Sequence, residues 1–419
     1  MPDKTIQKEQ LCVGLYVHLD LPWMKHPFLS SSFKIRSEKQ LKTLRGLKLP
    51  SVRFDPERSD TEPLPLVDAP AAEEPPKESP EDNALWEEKR KRIKVLKARR
   101  SKLNQTASRY EKSVDSVRKL MDVLFATPEQ AVQVADEVVG NMVTGLTEDT
   151  EVTMQLVNLK GKSESSYYHS LNVTALSLVL GRKLGLDAKQ LHLLGLGALF
   201  HDLGHQEIPS QILLKKTDLS PAEEKVYQRH PYLGVEMAKK IGVLPEEAVA
   251  IIGQHHERLD GSGYPKGLKG EVGMLTRIVA VVDHYDELCN HSDPNRSLSP
   301  YEAVSLMYSK ELEQYDRTIL TAFIANLGVY PPGTVVRLSD QRIACVVTIN
   351  HDELLKPNVL VYEPDIPKEE ALILDLMEED LSILESCRRS ELTPAVLNYL
   401  NLSEYVTYYF DQVGDTELS

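Results

Sequence analysis

The sequence predicts a mainly α-helical protein with a small β-rich region towards each end. Apolar residues recur every three or four positions through most of residues 127–330, the spacing of amphipathic helices. Runs rich in Val, Ile, Leu and Tyr, separated by turns, occur within residues 11–55 and 331–366, as expected for short strands. At 419 residues, the chain is too long for one ordinary domain, so several units are expected.

The N-terminal unit is predicted to be a small β-rich domain over residues 1–56. LCVGLYVHL, SSFKI and PSVRFD are its strand candidates. Residues 57–84 follow and are rich in Pro, Glu, Asp and Ser. Such a composition buries too little apolar surface to order itself, so this segment is predicted to be a disordered linker.

Residues 85–126 predict one long helix, because no Gly or Pro occurs from 85 to 125. A heptad-like apolar seam runs along it, formed by Leu103, Ala107, Tyr110, Val114, Val117, Met121 and Leu124. Two interpretations stay open. The helix packs on its own domain, or it pairs as a coiled coil and gives a weak homodimer through residues 100–125.

The remaining chain is predicted to hold a helical domain (127–330), a β-rich segment (331–366) and an acidic helical tail (367–419). The four cysteines form no CxxC pair, which favours reduced thiols. No signal peptide or membrane-spanning run is visible, and a cytoplasmic protein is expected. The net charge of −14 disfavours a nucleic-acid polymer as partner, but not a small anionic ligand bound through metal ions.

Histidines and aspartates of the helical region form the candidate site. They are His169, His201, Asp202, His230, His255, His256 and Asp283. Imidazole and carboxylate together suit iron, manganese or zinc. Asp202 and His201 follow the apolar run ALF, where unpaired burial would cost several kcal/mol and a metal ion would remove that cost. Each of the other residues, taken alone, is more simply explained as a structural residue.

The motifs HSLNV, HDLG, HPYLG, HHERLDGSGYPKGL and RIVAVVD, in this order, resemble those of the HD-GYP family, the branch of the HD superfamily that hydrolyses cyclic di-GMP. The resemblance covers about residues 130–365. VGLYVHLDLPWMKHPFLSSSFKI is similar to the small domain of unknown function that often precedes HD-GYP domains. The implied fold is an HD-superfamily helical bundle.

The resemblance implies that the seven residues hold two divalent ions, iron or manganese, with Asp202 bridging them. It implies a phosphodiesterase that cleaves cyclic di-GMP to pGpG or GMP by attack of a metal-bridging hydroxide. The loop with Asp260, Gly261, Gly263, Tyr264 and Pro265 would shape the site wall or dock a partner such as a diguanylate cyclase domain.

Several positions depart from the family pattern. His205 stands where the family has a phosphate-contacting Lys, and is assigned with Asp202 to catalysis. Ser165 stands where some members have a Glu that binds a third metal, which favours two ions. Asp286 and Arg296 are the candidates for further substrate contacts. Two alternatives therefore stay open: a weakly catalytic cyclic di-GMP sensor or docking module, and a phosphohydrolase acting on another nucleotide.

Overall fold

The protein is mainly helical, with antiparallel sheets in its N-terminal and C-terminal parts, and the predicted fold class is confirmed. The structure, a computed structural model, describes residues 4–22, 25–28, 30–47, 49, 51–66, 80–148, 154–156, 165–291, 293, 296–364, 366–368, 371–402, 406 and 408–410. The chain divides into two compact units, Met1–Arg100 with Tyr362–Ile373, and Ser101–Val361 with Leu374–Ser419.

The first unit contains an antiparallel sheet in the strand order β1-β4-β2-β3. Its elements are β1 (Lys4–Gln7), β2 (Tyr16–His18), β3 (Ser32–Lys34), α1 (Glu38–Gly46) and β4 (Ser51–Asp55). β2, β3 and β4 lie within the three predicted strand segments, whereas β1 and α1 were not predicted. α1 begins at Ser37, whose side chain accepts a hydrogen bond from the Gln40 amide, an N-cap that the sequence carries openly. α1 buries Leu41 and Leu44 in the core of this unit.

The predicted linker is wrong at its N-terminal end. The amide of Asp60 donates to the Gly14 carbonyl, and that of Leu64 donates to the Gln10 carbonyl, both at 2.9 Å. Backbone hydrogen bonds therefore hold residues 57–66 to the N-terminal domain despite their polar composition. Residues 67–79 lie outside the described part of the chain, and the following helix α2 (Pro80–Val123) already begins at Pro80.

The apolar seam of α2 packs inside the chain. Tyr110, Val114, Val117 and Leu124 are at most 2% exposed and belong to the core of the second unit. Ala107 and Met121 pack against the same core. The described part of the seam, from Ala107 to Leu124, is therefore covered within the chain, which favours the first interpretation. The side chain of Leu103 lies outside the described part of the chain, and a homodimer through residues 100–125 stays a prediction. Heptad spacing suits packing against helices of the same chain as well as against a second copy.

The second unit is built on helices around one core. They are α3 (Pro128–Glu148), α4 (Ser165–Lys183), α5 (Ala188–Phe200), α6 (Ser210–Leu213), α7 (Pro221–Tyr227), α8 (His230–Ile241), α9 (Glu246–Gln254), α10 (Met274–Cys289), α11 (Pro300–Lys310) and α12 (Arg317–Leu327). α5 is strongly apolar and contacts α3, α4, α9 and α10. A capping box of Asp187 and Gln190 starts it.

Strands β6 (Val335–Leu338), β7 (Ile343–Thr348) and β8 (Asn358–Val361) confirm the predicted β-rich segment. The predicted helical tail is wrong. It contains β9 (Ile373–Asp375), β10 (Ile383–Cys387), the short helix α13 (Pro394–Tyr399) and β11 (Tyr408–Phe410).

These tail strands form because they pair with strands that are distant in sequence. β10 and β9 complete a sheet in the order β10-β6-β7-β8-β9, and β11 pairs with β5 (Met154–Leu156). The acidic residues that suggested a helix lie largely in turns and on exposed strand positions. Residues 411–419 lie outside the described part of the chain.

The four cysteines are free thiols, and three of them are buried, in agreement with the sequence prediction. Among the helices that the structure describes, none is long and apolar enough to cross a bilayer.

Candidate metal centre

The seven predicted ligands come together in the helical unit. They form two groups, Asp202 with His230, His255 and His256, and His169 with His201 and Asp283. Within each group, the candidate ligand atoms all lie within 4.8 Å of one another. Residues separated by more than a hundred positions in sequence thus meet at one place.

Helix ends position five of these side chains, whereas His169 lies within α4 and Asp283 lies within α10. α5 ends at Phe200, so His201 and Asp202 occupy the turn into a 3-10 helix, Leu203–Glu207. His230 is the first residue of α8, and His255 directly follows α9. The side chains at such termini can leave the packed helix faces and converge on a common point.

The histidine rings are oriented by backbone carbonyls. His201 Nδ1 lies 2.7 Å from the Ala198 carbonyl oxygen, and His230 Nδ1 lies 2.9 Å from that of Tyr227. His255 Nδ1 lies 3.0 Å from the Ile252 carbonyl oxygen. A carbonyl oxygen only accepts, so Nδ1 carries the proton in each ring and the lone pair of the neutral ring is on Nε2.

The Nε2 atoms of four histidines face each other two by two. His169 Nε2 is 3.1 Å from His201 Nε2, and His230 Nε2 is 3.2 Å from His255 Nε2. In the His230–His255 pair, two neutral imidazole acceptors repel each other at this distance, and a shared cation turns facing imidazoles into ligands. The donor set therefore fits two divalent cations, one for each histidine pair.

Asp202 lies between the two histidine pairs. Its Oδ1 is 3.5 Å from His230 Nε2 and 3.7 Å from His255 Nε2. Its Oδ2 is 3.6 Å from His169 Nε2 and 3.5 Å from His201 Nε2. One carboxylate thus directs a different oxygen at each pair, an arrangement that can bridge two cations.

Asp283 adds a second carboxylate to the His169–His201 pair. Its Oδ1 lies 3.2 Å from His169 Nε2 and 3.4 Å from His201 Nε2. Its Oδ2 is buried and has no hydrogen-bond partner among the residues that the structure describes. An unpartnered carboxylate oxygen in a buried site is costly, and a cation would satisfy it.

The second group holds its imidazoles neutral. Burial lowers the pKa of His230 to about 3 and that of His255 to about 4, because it disfavours the charged ring. Burial and then the neighbouring His255 hold the pKa of His256 well below its ordinary value. Neutral imidazole is the form that binds a metal ion.

The carboxylates are held ionised. Burial opposes this, but the charges of His205 and His201 outweigh it and hold the pKa of Asp202 well below its ordinary value. Burial likewise disfavours a charged His169, yet hydrogen bonds with Asp283 and Asp286 prevail and raise its pKa. The ionised carboxylates of Asp202 and Asp283 therefore lie where a cation would bind.

The loop of residues 260–265 forms a wall of the site. The ring of Tyr264 stacks on that of His256 at a centroid distance of 4.6 Å, and its amide donates to the His256 carbonyl. A Cβ on Gly263 would lie 2.4 Å from the same carbonyl oxygen, so glycine is required there. Gly261 has φ +85°, which favours glycine. Asp260 accepts hydrogen bonds from Ser262, and the peptide before Pro265 is cis.

Glu257 holds this loop in place through hydrogen bonds. It was not predicted as a site residue. It is 3% exposed, and its carboxylate accepts hydrogen bonds from the amides of Lys266 at 2.7 Å and Leu268 at 2.8 Å. Its position directly after His255-His256 gave no signal of this role, because the partners are backbone amides.

His205 lies beside the second group. Its Nδ1 is 3.1 Å from Asp202 Oδ2, and its ring centroid is 4.3 Å from that of His230. Its Nε2 is buried and has no hydrogen-bond partner within the described part of the chain. The side chain is therefore in place to act on Asp202 or on a ligand of the cations.

The two predicted substrate contacts fall elsewhere. Asp286 is 1% exposed, and its Oδ2 accepts a hydrogen bond from His169 Nδ1 at 2.7 Å. It stands behind a candidate ligand and does not face substrate. Arg296 is half-exposed and pairs with Asp218 at 2.5 Å. The position of Asp286 gives no support for a substrate contact, and for Arg296 the contact stays a prediction, because sequence order does not show which way a side chain points.

Glu287 is a further candidate that the sequence prediction missed. It groups with His256 and Asp283 as a set of ligand atoms close enough to hold a cation. It lies one helical turn after Asp283 on α10. This i,i+4 spacing of two acids was the available signal.

Two family models match the chain. A domain of unknown function, DUF3391, matches residues 3–135, and an HD domain matches residues 150–319. The first extends well past the β-rich domain predicted for residues 1–56, and covers α2.

Curated relatives that align with most of the chain, and others that align with about half of it, are named as phosphodiesterases. The chain is 30% identical over 368 residues to cyclic di-GMP phosphodiesterase PA4108 of Pseudomonas aeruginosa, covering 86% of this chain and 85% of that protein. It is 34% identical over 192 residues to 3'3'-cGAMP-specific phosphodiesterase 1 of Vibrio cholerae, covering 44% of each chain. A solved structure, Bd1817, a HDG"Y"P protein from Bdellovibrio bacteriovorus, aligns with a TM-score of 0.44 at 18% identity, covering 77% of this chain and 98% of that one.

A helical HD fold with clustered histidines and aspartates defines the class of metal-dependent phosphohydrolases. Within this class, the 30% identity to a cyclic di-GMP phosphodiesterase over 86% of this chain identifies the family. The chain belongs to the HD-GYP phosphodiesterase family, in the group that carries a DUF3391 domain in front.

Proposed function

We propose that this protein is a phosphodiesterase that hydrolyses cyclic di-GMP to pGpG, GMP or both. The observation that carries the proposal is the pairing of imidazole lone pairs on either side of Asp202. The relative aligned along most of the chain is named for the same activity, which supports the choice of substrate.

Two divalent ions would be held by the seven clustered residues. His169, His201 and Asp283 would bind one, His230, His255 and His256 the other, and Asp202 both. Nitrogen and oxygen ligands without thiolate favour iron or manganese. When bound, such ions lower the pKa of a water molecule to make it a nucleophile and offset the charge of the phosphodiester.

The chain's own residues complete the site. Asp202, with its low pKa, stays ionised and sets the spacing of the two histidine pairs. Tyr264 closes one wall by stacking on His256, and Glu257 keeps that wall in place by fastening the loop. His205 would donate a hydrogen bond from Nε2 to a phosphate oxygen in its imidazolium form, because its Nδ1 proton is directed at Asp202 Oδ2.

Turnover by freshly metallated full-length protein tests the proposal. After anaerobic purification and metal analysis, we expect about two iron or manganese ions per chain and conversion of cyclic di-GMP to linear product. Cyclic di-GMP and 3'3'-cGAMP should be compared at equal concentration, because a relative is named for the second nucleotide. Preference for 3'3'-cGAMP would replace the proposed substrate.

The sensor alternative is favoured by two specific observations. His205 is shorter than the Lys of the family pattern, and Arg296 pairs with Asp218. Tight binding of cyclic di-GMP by the fully metallated protein without turnover would support it. Docking of diguanylate cyclase domains through residues 260–265 and a cytoplasmic location stay predictions.

His205→Lys is expected to lower the KM for cyclic di-GMP. A lysine at this position carries a full charge on a longer chain and can reach a phosphate oxygen, whereas histidine is only partly charged near neutral pH. Steady-state kinetics at saturating metal measure the effect. His205→Gln is the control, since it keeps a hydrogen-bonding group without charge. An unchanged KM in the Lys variant would show that this position does not contact substrate.

A further inference from the structure

The C-terminal segment around Val406 and Tyr408 reaches the back of the candidate metal centre. The amide of Val406 donates to Asn290 Oδ1 at 2.7 Å, and its carbonyl accepts from Asn290 Nδ2 at 2.8 Å. The amide of Tyr408 donates to Asn172 Oδ1 at 2.6 Å. Asn172 Nδ2 also donates to the Val406 carbonyl at 3.3 Å. Two asparagine side chains thus clamp the backbone of this segment.

The same two asparagines hold Asp286. Asn290 Nδ2 donates to Asp286 Oδ1 at 2.9 Å, and Asn172 Nδ2 donates to the same oxygen. Each amide group has two protons, and each uses one on Asp286 and one on the Val406 carbonyl. The segment accepts a hydrogen bond from one amide proton of each asparagine and donates one to each Oδ1. These contacts fix the side-chain amide, so the other proton of each asparagine points at Asp286. The orientation of the Asp286 carboxylate is therefore coupled to the C-terminal segment.

Asp286 in turn determines which nitrogen of His169 is free. Its Oδ2 accepts from His169 Nδ1 at 2.7 Å, which fixes a proton on Nδ1, so that Nε2 is the nitrogen available to a cation. Nε2 is the atom that faces His201 and Asp283. A carboxylate behind a ligating histidine sets its tautomer and ring orientation and raises its basicity.

We propose that the backbone of Val406 and Tyr408 positions His169 for metal binding, through Asn172, Asn290 and Asp286. Asn172 and Tyr408 are at most 2% exposed, so the relay is shielded from competing water. Asn172 lies on α4 and Asn290 directly after α10, while the strand β11 holds the segment by pairing with β5. Among its described residues, the C-terminal segment contacts the partners of His169 and is thus a positioning element of the His169 group.

This inference rests on the two-metal site of the proposed function, but not on its substrate. Manganese binding to the full-length, metal-stripped protein therefore tests it, with two dissociation constants measured by equilibrium dialysis. In Asn290→Ala and in Asn172→Ala, we expect one of the two manganese sites to weaken about tenfold, the scale of lost outer partners of metal ligands. The other site should stay within about twofold.

Tyr408→Phe is the matched control. It removes the hydroxyl contacts of Tyr408 with Tyr285 and with the Pro332 carbonyl, but keeps the amide that binds Asn172. We expect it to lower the unfolding temperature of the metal-free protein while both manganese affinities persist. If Tyr408→Phe changes the affinities as much as Asn290→Ala does, the effect is general destabilisation and the proposal fails.

A double-mutant cycle separates positioning through Asp286 from any independent effect. In the Asp286→Ala background, Asn290→Ala should cause no further loss of affinity, since coupled residues are not additive. Additive losses, or unchanged manganese binding in both asparagine variants, would overturn the proposal. A wild-type protein that binds fewer than two manganese ions would instead overturn the metal site on which it rests.

Discussion

Asp202→Ala is expected to release both metal ions and to lower the turnover of cyclic di-GMP by about 10²–10³-fold or more, the scale on which loss of one electrostatic contact acts. The reason is geometric. One oxygen of Asp202 lies 3.5 Å from His230 Nε2, and the other lies 3.5 Å from His201 Nε2. Removing the carboxylate leaves each histidine pair without its shared anionic ligand. Elemental analysis after gel filtration, followed by a turnover assay, measures both effects.

Asp136→Ala provides the matched control. Asp136 also places a carboxylate on a histidine, with its Oδ1 2.9 Å from His192 Nε2, but this pair lies outside the ligand groups. It should retain about two ions and full turnover. Full metal occupancy in Asp202→Ala would contradict the assignment of this residue as the bridging ligand, whatever the substrate proves to be.

The candidate metal ligands could be recognised in the sequence because these histidines and aspartates lie next to recognisable helix ends and loops. His201 and Asp202 follow the apolar helix α5, and His255 and His256 precede the glycine-containing loop that stacks Tyr264 on His256. Local pattern and ligand chemistry coincide at these points. The helices of the second unit were likewise visible in their three-to-four apolar spacing.

Features that depend on partners distant in sequence were not predictable. The seam of α2 has the spacing of a coiled coil, and only the other helices of the chain show that Val117 is already covered. The sequence of β10 alone suggests part of an acidic helix, and only its pairing with β6 shows that it is a strand. Asp286 was singled out from the sequence as a substrate contact, but its burial behind the His169 ring depends on Asn172 and on the C-terminal segment.

Gly204→Ala is expected to disrupt the metal centre without changing any candidate ligand. A Cβ at this position would lie 1.9 Å from the carbonyl oxygen of His230 and 2.6 Å from the amide nitrogen of Gly234. Both contacts are backbone atoms of α8, so no side chain can rotate away. The 3-10 helix after Asp202 must therefore move away from His230, and overpacking of this kind costs about 3 kcal/mol. Since Asp202 and His230 belong to one ligand group, the strain acts directly on the distances that a cation requires.

Gly140→Ala isolates this effect from the general consequence of replacing glycine in a helix. Gly140 lies within α3, and nothing lies within 4 Å of the position a Cβ would take. Alanine there should stabilise the protein by about 0.5–1 kcal/mol, since glycine is a poor helix former. Thermal unfolding of the metal-free chains and manganese titration together compare the two variants. Gly204→Ala should unfold at a lower temperature than wild type and bind manganese at least about tenfold more weakly, as displaced ligand geometry predicts, whereas Gly140→Ala should bind it normally. Wild-type affinity in Gly204→Ala would mean that α8 can yield without moving His230, and that the close approach of these two segments does not set the geometry of the site.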